Sequence, residues 1–411
     1  MQIKRTFHPI GQGGFFTEQH LFAGGDRFTI VYDCGVRGNR RDREYVVQHP
    51  DLQGRDIDVL FISHFDSDHV SMLNVLKAHV GQIKKVVLPL LHDDERILLT
   101  NLFRALGHNI LTLINHPQKF FGPRTRIIQI EPSDGVDGNP RDPITFTDQT
   151  PSGHLPSGTR IRIGLPSAPA GHDWTFIPHN HRCASRRSAL ETALVAAHYD
   201  LTRLRTDPGY TLDSAIYNSA QLKTIYNGLP GGINQNSLFV YSGPEQTTTS
   251  LKLISYWEAR REFSARSSTP PRNLNHLRAL PFNGFVDFIH PPQAHGPLTI
   301  DFLSPLYPWH WSFNKPGCLY TGDGDLNSVA VQQVFSRVWD QVGTLQIPHH
   351  GASACFHDGA LLQHCVICPI AVGTTNGHGH PAGNVFSTIY RLRSIPVLVT
   401  DKSFEYVQLI R

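Results

Sequence analysis

The first third of the chain alternates short apolar runs with segments in which apolar residues recur at helical spacing. The runs at 28–32, 59–62 and 86–90 are each followed by turn or polar residues, which predicts β-strands. Residues 70–80 and 92–107 carry apolar positions three and four apart, which predicts two amphipathic helices. Strands that alternate with helices in this order indicate a layered α/β fold.

The last third returns to the same alternation of apolar runs and turns. The pattern predicts a helix over 329–342. It also predicts strands at 237–241, 298–303, 318–321, 344–347, 366–372 and 397–399.

The middle of the chain has a different character. Residues 133–160 are rich in Gly, Pro, Asp, Ser and Thr and are expected to form loop, whereas 188–204 has a helical pattern. The stretch from 243 onward has mixed charge. We therefore interpret the chain as one domain, 1–411, interrupted by insertions at about 133–230 and 243–296.

The composition does not indicate a particular kind of binding partner. The formal net charge of +3 is small for 411 residues, so any attraction to nucleic acid must be local. The six cysteines are scattered and do not form a secretory disulfide framework. The first residues lack the apolar core of a signal peptide, and no run of about 18 apolar residues occurs. We expect a cytoplasmic protein without a membrane partner.

The strongest chemical signal lies between a predicted strand and a predicted helix. His64, Asp66, Asp68 and His69 occupy four of six consecutive positions there. Burying two carboxylates and two imidazoles without a cation would cost several kcal/mol, roughly, because the charges would lose their hydration. A divalent metal ion, or a pair of them, removes that cost. The segment therefore predicts a metal centre.

Three further groups of polar residues also follow predicted strands. They are Asp323, beside two glycines, the pair His349 and His350, and His380. Each is weak alone, but side chains from several strand ends can meet at one edge of a sheet. Glycine lets the backbone approach closely, so the carboxylate of Asp323 could bridge two cations.

Taken in order, these motifs resemble the metallo-β-lactamase superfamily, whose hallmark is H-x-H-x-D-H after a strand. The second histidine is an aspartate here, and H-x-D-x-D-H is similar to the metallo-hydrolase branch of ComEC-type competence (DNA-uptake) proteins. Similar motifs of that branch are found at 32–35, 234–240, 319–323, 348–352 and 379–381.

The resemblance implies a four-layer αββα sandwich with a site for two divalent ions, manganese or zinc. His64 and Asp66 would hold the first ion, Asp68 and His69 the second, and Asp323 would bridge them. One of His349 and His350 would join the second ion, and the sequence leaves open which. Asp68 would also orient the nucleophile, and His380 would contact phosphate or donate a proton. The residues expected to support the ligands are Asp33, Asn236 and Ser237.

The better-known hydrolases of the superfamily have a further histidine in their third conserved motif, and this sequence departs from them there. Asn236 and Ser237 lie near the position where it is expected, so the first ion would have fewer protein ligands. Asp325 is an additional carboxylate that could take its place.

The ligand chemistry favours phosphodiesters as substrates. Asp66 in place of an imidazole makes the ligand set richer in oxygen, which moves the preference from zinc toward manganese. Oxygen-rich dinuclear sites suit hydrolysis of phosphate diesters, so we expect a phosphodiesterase or nuclease acting on nucleic acid or a nucleotide. Two arginine clusters could hold phosphates, one at 37–43 and one at 182–187.

Two other readings remain open from the residues alone. The same scaffold could hydrolyse a small ester, thioester or lactone. It could also be a non-catalytic binding module that has kept the fold. The insertions would set substrate choice or bind a protein partner.

Overall fold

The computed structural model describes residues 1–133, 142–165, 173–181, 184–212, 217–228, 237–246, 251, 253–258, 315–327, 329–361 and 366–411. The strand predicted at 298–303 and most of the stretch 243–296 lie outside these residues.

The described part of the chain contains eighteen strands. In chain order they are β1 (Gln2–Phe7), β2 (Phe16–Leu21), β3 (Arg27–Tyr32), β4 (Ile57–Phe61), β5 (Ile83–Pro89), β6 (Arg126–Ile130), β7 (Pro132–Ser133), β8 (Ile144–Phe146), β9 (Gly153–Leu155), β10 (Ile161–Ile163), β11 (Trp174–His181), β12 (Leu238–Pro244), β13 (Leu253–Glu258), β14 (Gly317–Tyr320), β15 (Val342–Leu345), β16 (Ile367–Val372), β17 (Ile395–Thr400) and β18 (Glu405–Ile410).

Eleven α-helices are described. They are α1 (Glu44–Val47), α2 (Ser67–Val70), α3 (Leu73–His79), α4 (Asp93–Ala105), α5 (Leu111–Asn115), α6 (Pro117–Phe121), α7 (Ala184–Ala196), α8 (Leu201–Thr206), α9 (Ser219–Gly228), α10 (Val331–Val334) and α11 (Gly383–Arg391). Within the described ranges, no helix combines the length and the apolar character needed to cross a membrane.

The strands form two large sheets. The first has the order β13-β18-β1-β2-β3-β4-β5-β6-β9, and the second has the order β17-β16-β15-β14-β12-β11-β10-β8, with β7 beside β11. The run β3-β4-β5-β6-β9 is parallel in the first sheet, and β14-β15-β16-β17 is parallel in the second. Parallel neighbours end at the same edge of their sheet, so the residues that follow them are brought together.

The two sheets face each other across an apolar core. In β4 the side chains of Val59 and Phe61 point into this core, whereas Leu60 packs with Val31 on the outer face of the sheet. Helices α1 to α5 cover that outer face, and α10 and α11 cover the outer face of the second sheet. The predicted α/β class with four αββα layers is confirmed.

Helices α7, α8 and α9 lie outside this sandwich. Their apolar residues Leu194, Leu204 and Leu222 pack against Leu102 of α4. The side-chain amide of Asn101 donates to the carbonyl oxygens of residues 204 and 207, at 2.9 and 2.8 Å. Strands β8 to β11 also fall within the range 133–230, and they extend both sheets.

Two predicted helices are interrupted. The helix expected over 70–80 is α2 followed by α3. Ser71 exchanges hydrogen bonds with the backbone of Val36, and the Met72 amide donates to the Cys34 carbonyl oxygen. The Met72 contact competes with helical hydrogen bonding, whereas the Ser71 amide still donates to the Ser67 carbonyl oxygen. The helix expected over 188–204 divides at His198, which has a positive φ of 63° and follows the end of α7.

Two other predictions from the pattern were wrong. Residues 133–160 were expected to be loop, but β8 and β9 lie there because they pair with distant strands. The helix expected over 329–342 is the single turn α10 followed by turns and one 3₁₀ segment. Its apolar positions Val331, Phe335, Val338 and Val342 are nevertheless all buried together, as the spacing indicated.

A buried polar network joins the two sheets inside the sandwich. The Arg5 Nε donates to Glu18 Oε1 at 2.7 Å, and both side chains are almost fully buried. Glu18 also accepts hydrogen bonds from Ser242 Oγ at 2.7 Å and Tyr320 Oη at 2.9 Å, which belong to the opposite sheet. Burial would raise the pKa of Glu18, but the Arg5 guanidinium, His20 and the Ser242 hydroxyl together outweigh it and lower the pKa to about 2.

The replacement Glu18→Gln is expected to reduce the free energy of unfolding by about 3–5 kcal/mol, because it leaves the Arg5 charge buried without its carboxylate. The measurement is urea denaturation at pH 7. As a control, Asp358→Asn removes an exposed partner of Arg391 and should change stability by less than about 1 kcal/mol.

The pH dependence of the free energy of unfolding provides a second test of the buried network around Glu18. The folded pKa of Glu18 lies below its ordinary value of 4.5, so its stabilisation is present above about pH 4.5 and is lost as the pH falls toward 2. The difference in stability between wild type and Glu18→Gln should therefore shrink over that range. An equal difference at pH 7 and pH 2.5 would contradict this account.

Candidate metal centre

Every strand whose end was predicted to carry chemistry ends at the same edge of the sandwich. Asp33 follows β3, and the segment 64–69 follows β4. Asp323 follows β14, the pair 349–350 follows β15, and His380 follows β16. Ser237 precedes β12, which runs antiparallel to β14 and therefore begins at this edge.

Four of these side chains form one tight group. Asp68, His69, Asp323 and His350 each contribute an atom, and the four atoms lie within 4.8 Å of one another. His69 Nε2 is 3.0 Å from Asp323 Oδ1, and His350 Nε2 is 3.4 Å from Asp68 Oδ2. Two imidazoles and two carboxylates at these distances could hold a divalent cation.

A second group shares one residue with the first. His64 Nε2 lies 3.8 Å from Asp66 Oδ2 and 3.7 Å from Asp323 Oδ2. Asp323 therefore directs Oδ1 toward His69 and Oδ2 toward His64. A carboxylate that faces two groups of potential ligands in this way could bridge two cations.

The Asp33 carboxylate supports both histidines of the segment 64–69. Its Oδ1 accepts the Ser63 amide at 2.7 Å, and its Oδ2 accepts Ser63 Oγ at 2.7 Å and His69 Nδ1 at 2.8 Å. Since a carboxylate accepts, His69 Nδ1 carries the proton that faces Asp33, and Nε2 is the ring nitrogen that would present its lone pair to a bound cation. Such a partner fixes the ring orientation and tautomer of a ligand.

The same reasoning applies to two more imidazoles. The Ser63 hydroxyl donates to Asp33, so His64 Nδ1, 2.8 Å away, donates to Ser63 Oγ. His350 Nδ1 is 2.8 Å from the Ala371 carbonyl oxygen, which accepts its proton. His64 and His350, like His69, therefore turn the lone pair of Nε2 toward the carboxylates.

His349 and His350 point in different directions because of an unusual backbone. Residues 349, 350 and 351 all have positive φ, at 48°, 56° and 81°. This left-handed turn is rare for residues other than glycine. It places His350 in the group of four and brings His349 Nδ1 to 3.3 Å from the Cys355 Sγ. The sequence alone could not separate the two histidines.

Glycines allow the segment 64–69 to lie directly against two loops. A Cβ on Gly14 would lie 2.9 Å from His69 Nδ1, and one on Gly35 would lie 2.5 Å from the backbone of residues 68 and 69. Glycine is needed at both positions for this approach. The role of Gly14 was missed from the sequence, although the Gly-Gln-Gly-Gly run at 11–14 was a visible signal.

The electrostatics of the site fit bound cations. Within the two ligand groups, four buried atoms have no hydrogen-bond partner among the described residues, namely His64 Nε2, His69 Nε2, Asp323 Oδ1 and His350 Nε2. The 3.0 Å contact of His69 with Asp323 lacks hydrogen-bond alignment. Buried polar atoms normally find partners. A metal ion between them would supply one.

Shifts in pKa point the same way. Burial would lower the pKa of His69, but Asp323 and Asp33 raise it well above its usual value. Burial would raise the pKa of Asp323, but His69 and His349 lower it well below its usual value. The carboxylates therefore attract positive charge into a buried place. For His64, burial and the neighbouring His69 lower the pKa to about 3, which keeps its lone pair available.

The remaining predicted site residues have distinct surroundings. Ser237 Oγ accepts the Asp323 amide at 3.1 Å and lies 3.3 Å from His64 Nδ1. His380 lines the same cleft, and burial together with His350 and His349 lowers its pKa to about 4, so it is neutral at pH 7. Asp325 is not in either group, and its Oδ1 accepts two hydrogen bonds from Asn327. Asn236 lies outside the described residues.

Asp66, Asp68, Asp323, His350 and His380 line a cleft of about 690 Å³. Of the arginines predicted to hold phosphates, Arg37 and Arg40 line it. Arg43 instead pairs with Asp401. In the second predicted cluster, Arg182 and the side chains of Arg186 and Arg187 lie outside the described residues. Gln12, His108 and Ser353 also line the cleft, and no motif in the sequence had indicated them.

The comparison with known families agrees with this geometry. Residues 14–161 match the model of the Metallo-beta-lactamase superfamily. The match covers a little over a third of the chain, and it contains Asp33 and the segment 64–69, whereas Asp323, His350 and His380 lie beyond it. No curated protein matches the chain closely enough to count as a relative.

The superfamily match and the side-chain groups together support a metal-dependent hydrolase that binds divalent cations. The superfamily model is common to many hydrolases, so it carries no information on the substrate or on the ComEC-type branch.

The replacement Asp33→Asn is expected to weaken metal binding by about 10- to 100-fold, because the carboxylate that orients His69 is lost. Competition with a chromophoric chelator, using Mn²⁺ and Zn²⁺ in turn, measures the affinity. Asp325→Asn serves as the matched control, since that carboxylate lies outside both groups of potential ligands. Unchanged affinity in a folded Asp33→Asn protein would show that this support is dispensable.

Proposed function

We propose that this protein is a metal-dependent phosphodiesterase, and more finely a nuclease, that holds two divalent cations. The observation that carries the proposal is the Asp323 carboxylate, whose two oxygens face two adjoining groups of imidazole and carboxylate ligands. Pairs of cations stabilise the attacking and leaving oxygens in phosphodiester hydrolysis, which is the reaction to which such a site is best suited.

The ligand assignment follows from the direction of each lone pair. His64, Asp66 and Asp323 would hold the first ion, and Asp68, His69, His350 and Asp323 the second. Three imidazoles and three carboxylates form a set richer in oxygen than an all-histidine site, and this supports manganese over zinc. His349 is left out of the set because it does not belong to the group of four residues whose ligand atoms lie within 4.8 Å of one another.

Bound divalent cations would lower the pKa of water toward neutrality and neutralise negative charge on the substrate. The chain itself would position the reactants. Asp68 lies at the cleft surface and would orient the attacking water through its carboxylate. His380, a neutral imidazole at pH 7, would make a hydrogen bond to a phosphate oxygen rather than act as a cationic acid.

The motif order supports the finer proposal. H-x-D-x-D-H at 64–69 is the feature shared with the ComEC-type branch, and Asp66 is the residue that distinguishes it. Arg37 and Arg40 place positive charge in the same cleft, which favours an anionic substrate over a neutral ester or lactone.

The two adjacent histidines give a direct test of the ligand assignment. His350→Ala should lower the metal content from two ions per chain to about one, because its Nε2 faces Asp68. His349→Ala should retain both ions. Elemental analysis after equilibration with Mn²⁺ and gel filtration measures the content. The opposite result would exchange the roles of the two residues.

The replacement Asp68→Ala is expected to lower the rate of phosphodiester hydrolysis by about 100-fold or more, since it removes both a ligand and the group that orients the nucleophile. The assay uses bis-p-nitrophenyl phosphate and single-stranded DNA with Mn²⁺ or Zn²⁺. Asp325→Ala is the control. Wild-type protein that cleaves p-nitrophenyl acetate or a lactone but no phosphodiester would reject the proposal.

A further inference from the structure

The loop that follows β3 carries four arginines, and they have different surroundings. Arg37 and Arg40 line the cleft beside Asp66 and Asp68. Neither forms an ion pair within the described part of the chain. Arg41 is exposed and does not line the cleft. Two guanidinium groups are therefore available to a ligand in the cleft.

Arg43 has a different task, which is to anchor the loop. Its guanidinium donates to Asp401 Oδ2 at 2.8 Å and to the Asp401 carbonyl oxygen at 3.1 Å. Asp401 also accepts the Thr374 amide at 2.6 Å, in the segment that leads to His380. Asp401 thus bonds both to the loop that carries Arg37 and Arg40 and to the segment that leads to His380. These contacts fix the position of the loop at the cleft.

The arginines would avoid the cations themselves. Guanidinium groups carry a permanent positive charge and would be repelled from two divalent ions held by Asp66, Asp68 and Asp323. A phosphate bound by those ions is already neutralised. The anion that Arg37 and Arg40 would contact is therefore a neighbouring one, and their planar fork of donors suits phosphate oxygens.

The lining of the cleft argues against recognition by stacking. Among the described residues that line it, no Phe, Tyr or Trp is present, and the rings available are those of histidines such as His108 and His378. Proteins that recognise bases commonly stack them on aromatic side chains. Contacts to the sugar-phosphate backbone would therefore carry most of the recognition here.

We propose that the substrate is an oligonucleotide with a second phosphate next to the scissile one, and that Arg37 and Arg40 bind this second phosphate. This inference rests on the proposed function. An isolated phosphodiester would bind only at the metal centre. The two arginines are then specificity-determining residues that favour chains of several phosphates over a substrate with one.

The test compares dithymidylate with the same dinucleotide phosphorylated at its 5′ or its 3′ end. In wild-type protein with Mn²⁺, at least one phosphorylated form should have a kcat/KM roughly 10-fold or more above that of the plain dinucleotide, because charge-assisted hydrogen bonds are added. Arg37→Ala and Arg40→Ala should reduce this ratio toward one. Arg40→Lys should restore part of it.

Arg41→Ala is the matched control, since it removes a charge from the same loop without touching the cleft, and it should keep the wild-type ratio. A ratio that is unchanged in both cleft variants, or lost equally in Arg41→Ala, overturns the inference while leaving hydrolysis in place. Absence of hydrolysis of all three dinucleotides by wild-type protein overturns the proposed function, and the second-phosphate site with it.

Discussion

Compensation of buried carboxylate charge is the constraint on which this structure depends. Inside the sandwich, Glu18 is neutralised by Arg5 and by hydroxyl donors from the opposite sheet. At the edge, imidazoles are the only ion-pair partners of Asp33, Asp68 and Asp323 among the described residues. The network around Glu18 links the two sheets through protein groups alone. The carboxylates at the edge lack sufficient positive charge from the protein, and divalent cations would supply it.

Much of the architecture and the core of the site could be predicted because their signals are local. The polar residues His64, Asp323 and the pair 349–350 each follow an apolar run closely. Each run forms a parallel strand, so these side chains lie at the carboxyl end of a strand. The α/β class follows from the same runs, the αββα layers were implied by the family resemblance, and both are confirmed. The spacing at 331–342 even gave the correct buried face, although the backbone there is mostly turn.

The features that could not be predicted depend on contacts between distant segments. The helix expected over 70–80 breaks because the Met72 amide donates to the Cys34 carbonyl oxygen, in the loop after β3, and not to a helical carbonyl oxygen. The choice of His350 over His349 depends on a carbonyl oxygen at residue 371, on another strand. Strands β8 and β9 have only three residues each, lie in a stretch rich in turn-forming residues, and are held as strands by their pairing partners. In each case the structure depends on hydrogen bonds to another segment of the chain, and the local composition does not reveal them.

The left-handed turn at 349–351 limits which residues natural variation can place there. Aliphatic and β-branched side chains are strained at positive φ, whereas asparagine, aspartate, histidine and glycine tolerate it. Apart from glycine, the tolerated residues all offer an oxygen or nitrogen donor. At position 350 the backbone therefore favours, glycine apart, side chains that could bind a metal ion, and strains the aliphatic ones that could not.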